Sequence, residues 1–569
     1  MVSFFNSGML STNVLDIPLP MIRRSGRIDN LPLWRVGDRH KDPVTGFIPV
    51  GLAVETGLFW LLRDAMQAAM APADGGAWAA RVNDPPPPEA LREALERTGH
   101  WGAFDAAHPT HPCWQVRPKT WTGSAEKEPI LALLPDTATG EAHKNGADVF
   151  ASPGDGAVLL PCAVALLVWA NTVFPTGGGG YYNPSFGDSA LKYMLRADTL
   201  WRSLWLNVLP ADSPGMDAAD WPAPCNERTW PWLHEKLRGM DLGKAEKGEE
   251  IGVAEADVHP AAPQMPRRYL LGGITEAACA LTGVHGPCAD GLHRWPHGLA
   301  YRFDPKLDAR RCWSVAMRGK KEPDTERVEL DVPLKTAATM RFDDWLEGTL
   351  PSDENRQKKS PISPAPILRV LSLERQKLRL GRRDGGTALG GRASALSVTA
   401  IGRVASGKAA GGFETRSLPY YADLSDEALI DLALEVREAV EIAVQAGDAL
   451  KAQVESALKR ELDGRGAPGK QAAAAKDAHR ARLEETVVRY HADLAAVLDG
   501  EDEAEERDER QALLDRLRRQ ACTTALDIFD DLLPVADDPL RGPSRAKARA
   551  ELLKRLPWCK SVQQKREAA

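Results

Sequence analysis

Few folds are open to the chain beyond Tyr421. The stretch DLSDEALIDLALEVREAVEIAVQ spaces Leu429, Leu432, Val436, Val440 and Val444 three or four residues apart, an apolar stripe on one helix face. Ser425 is placed to cap that helix, and acidic residues fill its first turn, where the helix dipole favours them. Further helical stretches follow near 474–500, 503–533 and 544–556, divided by DGRGAPGK, DGED and DDPLRGPS. Helices joined by short polar loops bury their stripes against one another, which predicts an antiparallel four-helix bundle over 421–569. A sustained heptad seam is missing, so a coiled-coil rod is not expected.

The region before it reads differently. Residues 1–420 are rich in Gly, Pro and Trp and alternate short apolar runs with turn signals, the pattern of an irregular mixed body. The predicted class is α+β, a large irregular N-terminal domain (1–420) followed by the C-terminal four-helix bundle (421–569). EALREALERTG reads as a helix closed by Gly99. The most apolar run, AVLLPCAVALLVWA (157–170), is too short to cross a bilayer and carries Pro161 where a helix would begin, so it predicts a buried core helix and no membrane. The opening MVSFFNSGMLSTNVLDIPLP has neither the basic start nor the apolar run of a secretory signal. Eight scattered cysteines without a CxxC are expected to be reduced thiols in a cytoplasmic protein.

Charge and glycine carry the functional hints. The net charge is −7, yet residues 356–416 hold 13 Lys/Arg against Glu374, Asp384 and Glu414. Such clustering suits a local phosphate-binding surface, although SDENRQKKSPISPAP within it reads as a solvated linker. In NTVFPTGGGGYYNPSFGD, Gly177, Gly178, Gly179 and Gly180 precede Tyr181, Tyr182 and Asn183. Four glycines in a row are costly to order. The run is either a passive hinge or a backbone surface kept bare for a ligand, with the aromatics and Asn183 beside it.

Catalytic templates are absent: no P-loop, HExxH or GxSxG occurs, and no cofactor is expected. Cys279, His285, Cys288, His293 and His297 form the best metal candidate, but at spacings poor for zinc.

In order along the chain, several segments resemble the large subunit (CasA family) of the type I-E CRISPR Cascade surveillance complex. NVLDIPLPMIRRSG is similar to the family's opening, with Leu19 where Trp is usual. HPCWQV, ILALLPDTATGEAHKNGAD, AVALLVWANTVFPTGGGG and LKYMLRADTLWRSLWLNVLP follow in the family's order. WPAPCNERTWPW, RWPHGLAYR and AIGRVASGKAAGGFETRSLPYY continue it up to the bundle.

The resemblance implies a non-catalytic subunit that reads a protospacer-adjacent motif (PAM) in double-stranded DNA. Such a subunit opens the adjacent base pairs to start an R-loop and helps recruit the effector helicase–nuclease. Its implied partners are the target duplex, the crRNA-bound Cascade backbone, and the small and 5′-handle-binding subunits. The family's glycine loop falls on Gly177–Gly180, and its wedge on Ser406, Gly407 and Lys408, where Lys408 stands in place of the usual Gln. Lys144 and Asn145 match a further contact loop, and a basic finger is expected around Arg294–Lys306. Two other readings stay open: a scaffold that does not read DNA, and a metal-dependent hydrolase centred on Cys279–His297.

Overall fold

The computed structural model of the 569-residue chain describes residues 11–37, 41–48, 52–116, 127–133, 157–160, 163–165, 167, 192–213, 221–235, 249–252, 265, 268–295, 299–302, 316–318, 327–329, 362–363, 366–378, 396–403, 413–461, 467–498, 503–534, 540–556 and 558. It divides into two compact units: Met1–Lys335 with Ser352–Leu380 and Leu396–Ser417, and Leu418–Ala569 with Thr336–Pro351 and Gly381–Ala395.

The first unit is α+β. It opens with an antiparallel sheet of β1 (Pro18–Arg23), β2 (Ile28–Pro32) and β3 (Val44–Phe47), in the order β2-β1-β3. Helix α1 (Leu52–Met70) follows; its Phe59, Trp60, Leu61 and Leu62 are all fully buried, so it is a core helix rather than an amphipathic surface one. Asp74 caps α2 (Gly75–Asn83) by accepting from the Ala77 amide at 2.7 Å. Helix α3 (Ala90–Arg97) ends as expected at Gly99, whose φ of +78° is left-handed.

Short elements then alternate. They are β4 (Lys127–Pro129), β5 (Lys192–Arg196), α4 (Leu200–Leu206) with Thr199 as its N-cap, and β6 (Glu249–Gly252). Strands β7 (Arg268–Ala278) and β8 (His285–Trp295) form a long hairpin, with β4 on the other edge of β8. Strand β9 (Leu299–Arg302) pairs in parallel with β6. A small sheet of β10 (Ala316–Arg318), β11 (Arg327–Glu329) and β12 (Ile362–Ser363) precedes α5 (Pro366–Glu374). Strands β13 (Leu396–Arg403) and β14 (Phe413–Tyr420) complete a sheet ordered β14-β13-β5.

The run expected to be one core helix from 157 is split. Leu159 bridges Ala289 of β8, and helix is described at 163–165 and 167, where Ala163, Val164, Ala165 and Leu167 are buried. Its first residues are more valuable as an added strand, because β8 would otherwise bury unpaired amides.

Tryptophan fills much of this core. Trp114 packs on Trp232 (ring centroids 5.1 Å apart), Trp232 on Trp230 (5.3 Å), and Trp230 on Phe104 (5.1 Å). The Trp230 indole donates to Nδ1 of His100 at 2.8 Å, so Nε2 carries the proton donated to the Ala223 carbonyl at 2.9 Å. Burial holds that imidazole neutral by lowering its pKa. Trp114 itself sits at φ +57°, uncommon for a bulky residue, between turns tied down by the Gln115 amide on Ala106 O.

The second unit contains the four-helix bundle: α6 (Asp426–Glu461), α7 (Pro468–Val497), α8 (Glu503–Leu532) and α9 (Gly542–Arg555). Ser425 caps α6 through the Ala428 amide. Leu429, Leu432, Val436 and Val440 are buried as the stripe predicts, while Val444 is half-buried at its margin. Glu435 meets Tyr490 and Asp448 meets Lys476, so α7 runs antiparallel to α6. His479 contacts Ala521 and Asp493 faces Arg516, which turns α8 back again. Asp530 takes a bidentate hydrogen bond from Arg549, and Arg545 donates to the Pro534 carbonyl just beyond α8, so α9 runs antiparallel to α8. Arg510 of α8 is gripped by Asp431 and Glu435 of α6 and by Glu506 one turn away.

Cys113, Cys225, Cys279 and Cys288 are free, but Cys522 on α8 is disulfide-bonded. That corrects the expectation of eight reduced thiols: spacing along a chain does not disclose which cysteines the fold brings together.

His491 of α7 is fully buried beside Tyr421, and neither ring nitrogen has a hydrogen-bond partner. Desolvation pushes its pKa down to about 3. The unfolded chain, with an ordinary histidine pKa of about 6.5, takes up the proton first, so stability is full above that value and falls as the pH drops below it. Between pH 7 and 5 this residue alone should remove about 2 kcal/mol. Buried His479, whose pKa is also lowered by desolvation, adds to the same slope. His491→Phe should flatten the acid side of a plot of denaturation midpoint against pH by roughly that amount. An unchanged slope would show that the imidazole is charged in the fold.

Candidate nucleic-acid interface

Strand β5 pairs antiparallel with β13 from Arg196↔Ser397 to Lys192↔Ile401. The partners are more than two hundred residues apart in sequence. Lys192 follows Gly180 by twelve residues, and Ile401 precedes Lys408 by seven. At full extension those lengths span at most about 40 and 25 Å. One end of one sheet therefore emits the segment that leads back to the glycine run and the segment that leads on to the wedge. The candidates themselves lie outside the described residues: Gly177, Gly178, Gly179, Gly180, Tyr181, Tyr182, Asn183, Lys144, Asn145, Ser406, Gly407 and Lys408.

The sheet is secured on one face by contacts of β13 and β5, and at the outer edge of β5 by a side chain. Thr399 and Ser417 share a hydroxyl hydrogen bond of 2.7 Å between β13 and β14. Arg196 of β5 lies over the Phe59 ring of α1, 4.6 Å from its centroid, and reaches Glu55 at 3.6 Å. On the free edge of β5, the Asn207 carboxamide accepts from the Leu195 amide (3.1 Å) and donates to the Leu195 carbonyl (2.9 Å) and the Ser203 carbonyl (2.7 Å). Asn207 is in turn held by Arg63 of α1, whose Nε donates to the Asn207 carbonyl at 3.0 Å. The same guanidinium reaches Asp64 (2.9 Å) and Gln67 (3.1 Å), and Gln67 closes the chain by bonding both the amide and the carbonyl of Leu209. Asn207, Arg63, Asp64 and Gln67 are all buried. Sequence reasoning passed over them. The available signal was a charged pair, Arg63-Asp64, inside the apolar run GLFWLLRDAMQAAM.

Other expectations fare differently. Of the region searched for a basic finger, Arg294 is committed to Glu128 of β4 through two contacts, Nη2 at 2.6 Å and Nε at 3.2 Å. In the basic tract, Arg375 is fully buried and Lys377 is bonded to Glu374 at 2.6 Å. Arg375 is thus out of reach of a phosphate, whereas Lys377 keeps a side chain 58% exposed at the end of α5.

The Cys/His candidate is spread along a hairpin. Cys288 and His293 are five residues apart on β8, hence on opposite faces and about 16 Å apart. His285 shares a face with His293 but lies eight residues away, about 26 Å. His285 is 69% exposed, whereas Cys279 and Cys288 are buried, and burial raises the Cys288 pKa, with help from Cys279 and Glu276, away from the thiolate that binds metal. His297 is outside the described residues. Among the described residues no group of three or more His, Cys, Asp or Glu could hold a metal ion, and no helix is long and apolar enough to cross a membrane.

The family model for CRISPR-associated protein Cse1 matches residues 13–524. The chain belongs to the Cse1 family. Solved structures agree in fold across both units. Thermus thermophilus CasA (Cse1) is 17% identical with a TM-score of 0.60, covering 95% of this chain and 99% of that one. Thermobifida fusca Cse1 is 17% identical with a TM-score of 0.63, covering 96% and 98%. A chain from a structure titled as a CRISPR RNA-guided surveillance complex is 15% identical with a TM-score of 0.60, covering 95% and 99%. None of the curated proteins matches. Membership in the Cse1 family thus rests on the family model, while the solved structures show the same fold at low identity.

The β5–β13 register is open to direct check. Asn207 occupies the amide and carbonyl of Leu195, so the Leu195↔Val398 pair is a non-hydrogen-bonded one with Cα atoms about 4.5 Å apart. Leu195→Cys with Val398→Cys should cross-link on mild oxidation, seen as a non-reducing gel shift after cleavage between the two strands. Leu195→Cys with Ala400→Cys, displaced by about 7 Å, should not.

Proposed function

We propose that this chain is the non-catalytic large subunit of a type I-E Cascade surveillance complex in the cytoplasm. In that role it reads the PAM of a double-stranded target, opens the neighbouring base pairs to start an R-loop, and helps recruit the effector helicase–nuclease. Its partners are the crRNA-bound backbone, the small and 5′-handle-binding subunits and the target duplex. The observation that carries this reading is the β5–β13 pairing, which puts the approaches to the glycine run and the wedge at one end of one sheet. Family membership supports the assembly.

The chemistry fits such a division of labour. The minor groove is about 6 Å wide and shows a coarse A·T-versus-G·C code, so bare glycine backbone suits a short, permissive motif. Opening a base step costs a few kcal/mol, recovered when the opened duplex meets more protein. The later exchange of DNA pairing for guide pairing is nearly balanced, so a local push beside the motif decides whether it begins. Lys408, longer than Gln and charged, would contact phosphate or a groove acceptor where Gln would stack.

Within the assembled complex, Lys408→Ala and Gly178→Trp should each weaken binding to a PAM-bearing duplex by about tenfold or more, at least about 1.4 kcal/mol. Incorporation into the complex and the thermal midpoint should be unchanged. Mobility-shift titration measures the first and size exclusion the second. Normal duplex binding by both variants would reduce the chain to a scaffold.

A further inference from the structure

Asn207 is a side chain doing the work of a β-strand. Its carboxamide offers one strong acceptor and two donors, and all three are spent: the acceptor on the Leu195 amide, the donors on the Leu195 and Ser203 carbonyls. A neighbouring strand would bond Leu195 through the same pair of backbone groups. The residue is fully buried, as is Leu195, so without it two backbone groups of β5 and one of α4 would lose their partners out of reach of water.

The anchor behind it is equally fixed. Arg63 holds the Asn207 carbonyl, and Gln67 holds Leu209 from both sides, so the turn that follows α4 is pinned to the core helix α1. Leu195 is thereby tied to a buried core helix, three residues from Lys192, where β5 ends beside Ile401 of β13. Slippage of β5 by two residues would keep its faces but shift its end by about 7 Å along β13.

We propose that Asn207 is a positioning residue for duplex opening: through Leu195 it sets the offset of the chain leaving the glycine run relative to the chain entering the wedge. This rests on the DNA-reading role proposed above. A wedge and a groove-reading loop act on neighbouring base pairs only when their spacing is held, because loose sites lose most of their effect. Asn207 therefore matters for opening paired DNA and not for holding DNA that is already open.

The test uses the assembled complex and two targets carrying the same PAM, one fully paired and one with the first base pairs beside the motif mismatched into a bubble. Asn207→Ala should weaken binding to the paired target by about tenfold or more while changing bubble binding by less than about threefold. Hydrogen exchange at residues 192–196 should accelerate, with the bundle helices unchanged. Adding Leu195→Cys and Val398→Cys and oxidising should restore paired-target binding to within about threefold, and reduction in the assembled complex should abolish the recovery. The cross-linked protein also supplies folded material if Asn207→Ala alone fails to assemble, and the parent complex with and without reductant controls for the native disulfide at Cys522.

Three results would overturn the proposal: paired-target binding equal to the parent, an equal loss on both targets, or a formed cross-link that restores nothing. Lys408→Ala and Gly178→Trp separate this from failure of the underlying role. If they lose paired-target binding and Asn207→Ala does not, only the positioning claim falls. If none of the three loses it, the DNA-reading role falls with it.

Discussion

A buried strand edge must find partners for its amides, and in this protein one edge finds them in side chains. Strand β5 is satisfied on one side by β13, but on the other the amide and carbonyl of Leu195 have no strand beside them among the described residues. Leaving such a group unpaired costs about 1–3 kcal/mol each. Asn207 meets both needs, which requires its own carbonyl to be met, which brings in Arg63. A buried guanidinium then requires a carboxylate and further acceptors, supplied by Asp64 and Gln67. Each polar group in the chain of contacts exists to satisfy the one before, and the result joins α1, α4 and β5 as one block.

The bundle is held by different means. Its interior is aliphatic, with Leu432, Val436, Leu450, Leu483, Leu494, Leu517 and Phe529 all buried. Its direction is marked by ion pairs at the margins, Arg510 between α6 and α8 and Arg549 between α8 and α9. Partly exposed pairs of this kind contribute little to stability on their own. They discriminate between registers instead, because a slipped helix would set like charges against each other. The two buried histidines of α7 sit in the same apolar setting, and their cost appears only when the medium turns acidic.

Local signals were read correctly where the physics is local. Ser425 at a helix start and Gly99 at a helix end act within one turn of themselves, so their neighbours in sequence suffice to interpret them. The apolar stripe of α6 is of the same kind. Sequence is silent where partners are remote. Arg375 and Lys377 count alike toward the basic tract, yet the fold buries the first and leaves the second largely exposed beside Glu374. Cys279, His285, Cys288 and His293, already poorly spaced for zinc in sequence, are set still further apart by a strand, which sends alternate residues to opposite faces and advances about 3.3 Å per residue. Asn207 went unnoticed, because its role is defined by Leu195 twelve residues earlier and by Arg63 on another helix.

By itself the sequence determined the α+β class, the C-terminal bundle, the helix boundaries set by Ser425 and Gly99, and, through the order of its segments, membership in the Cse1 family. These follow from periodicity, capping and motif order, all properties of contiguous residues. The tertiary structure alone decided which distant segments share a sheet end, that Arg375 is buried and which side chain stands in for a strand. Those outcomes depend on satisfying every buried hydrogen-bonding group at once, a condition on the folded whole and not on any stretch of the chain.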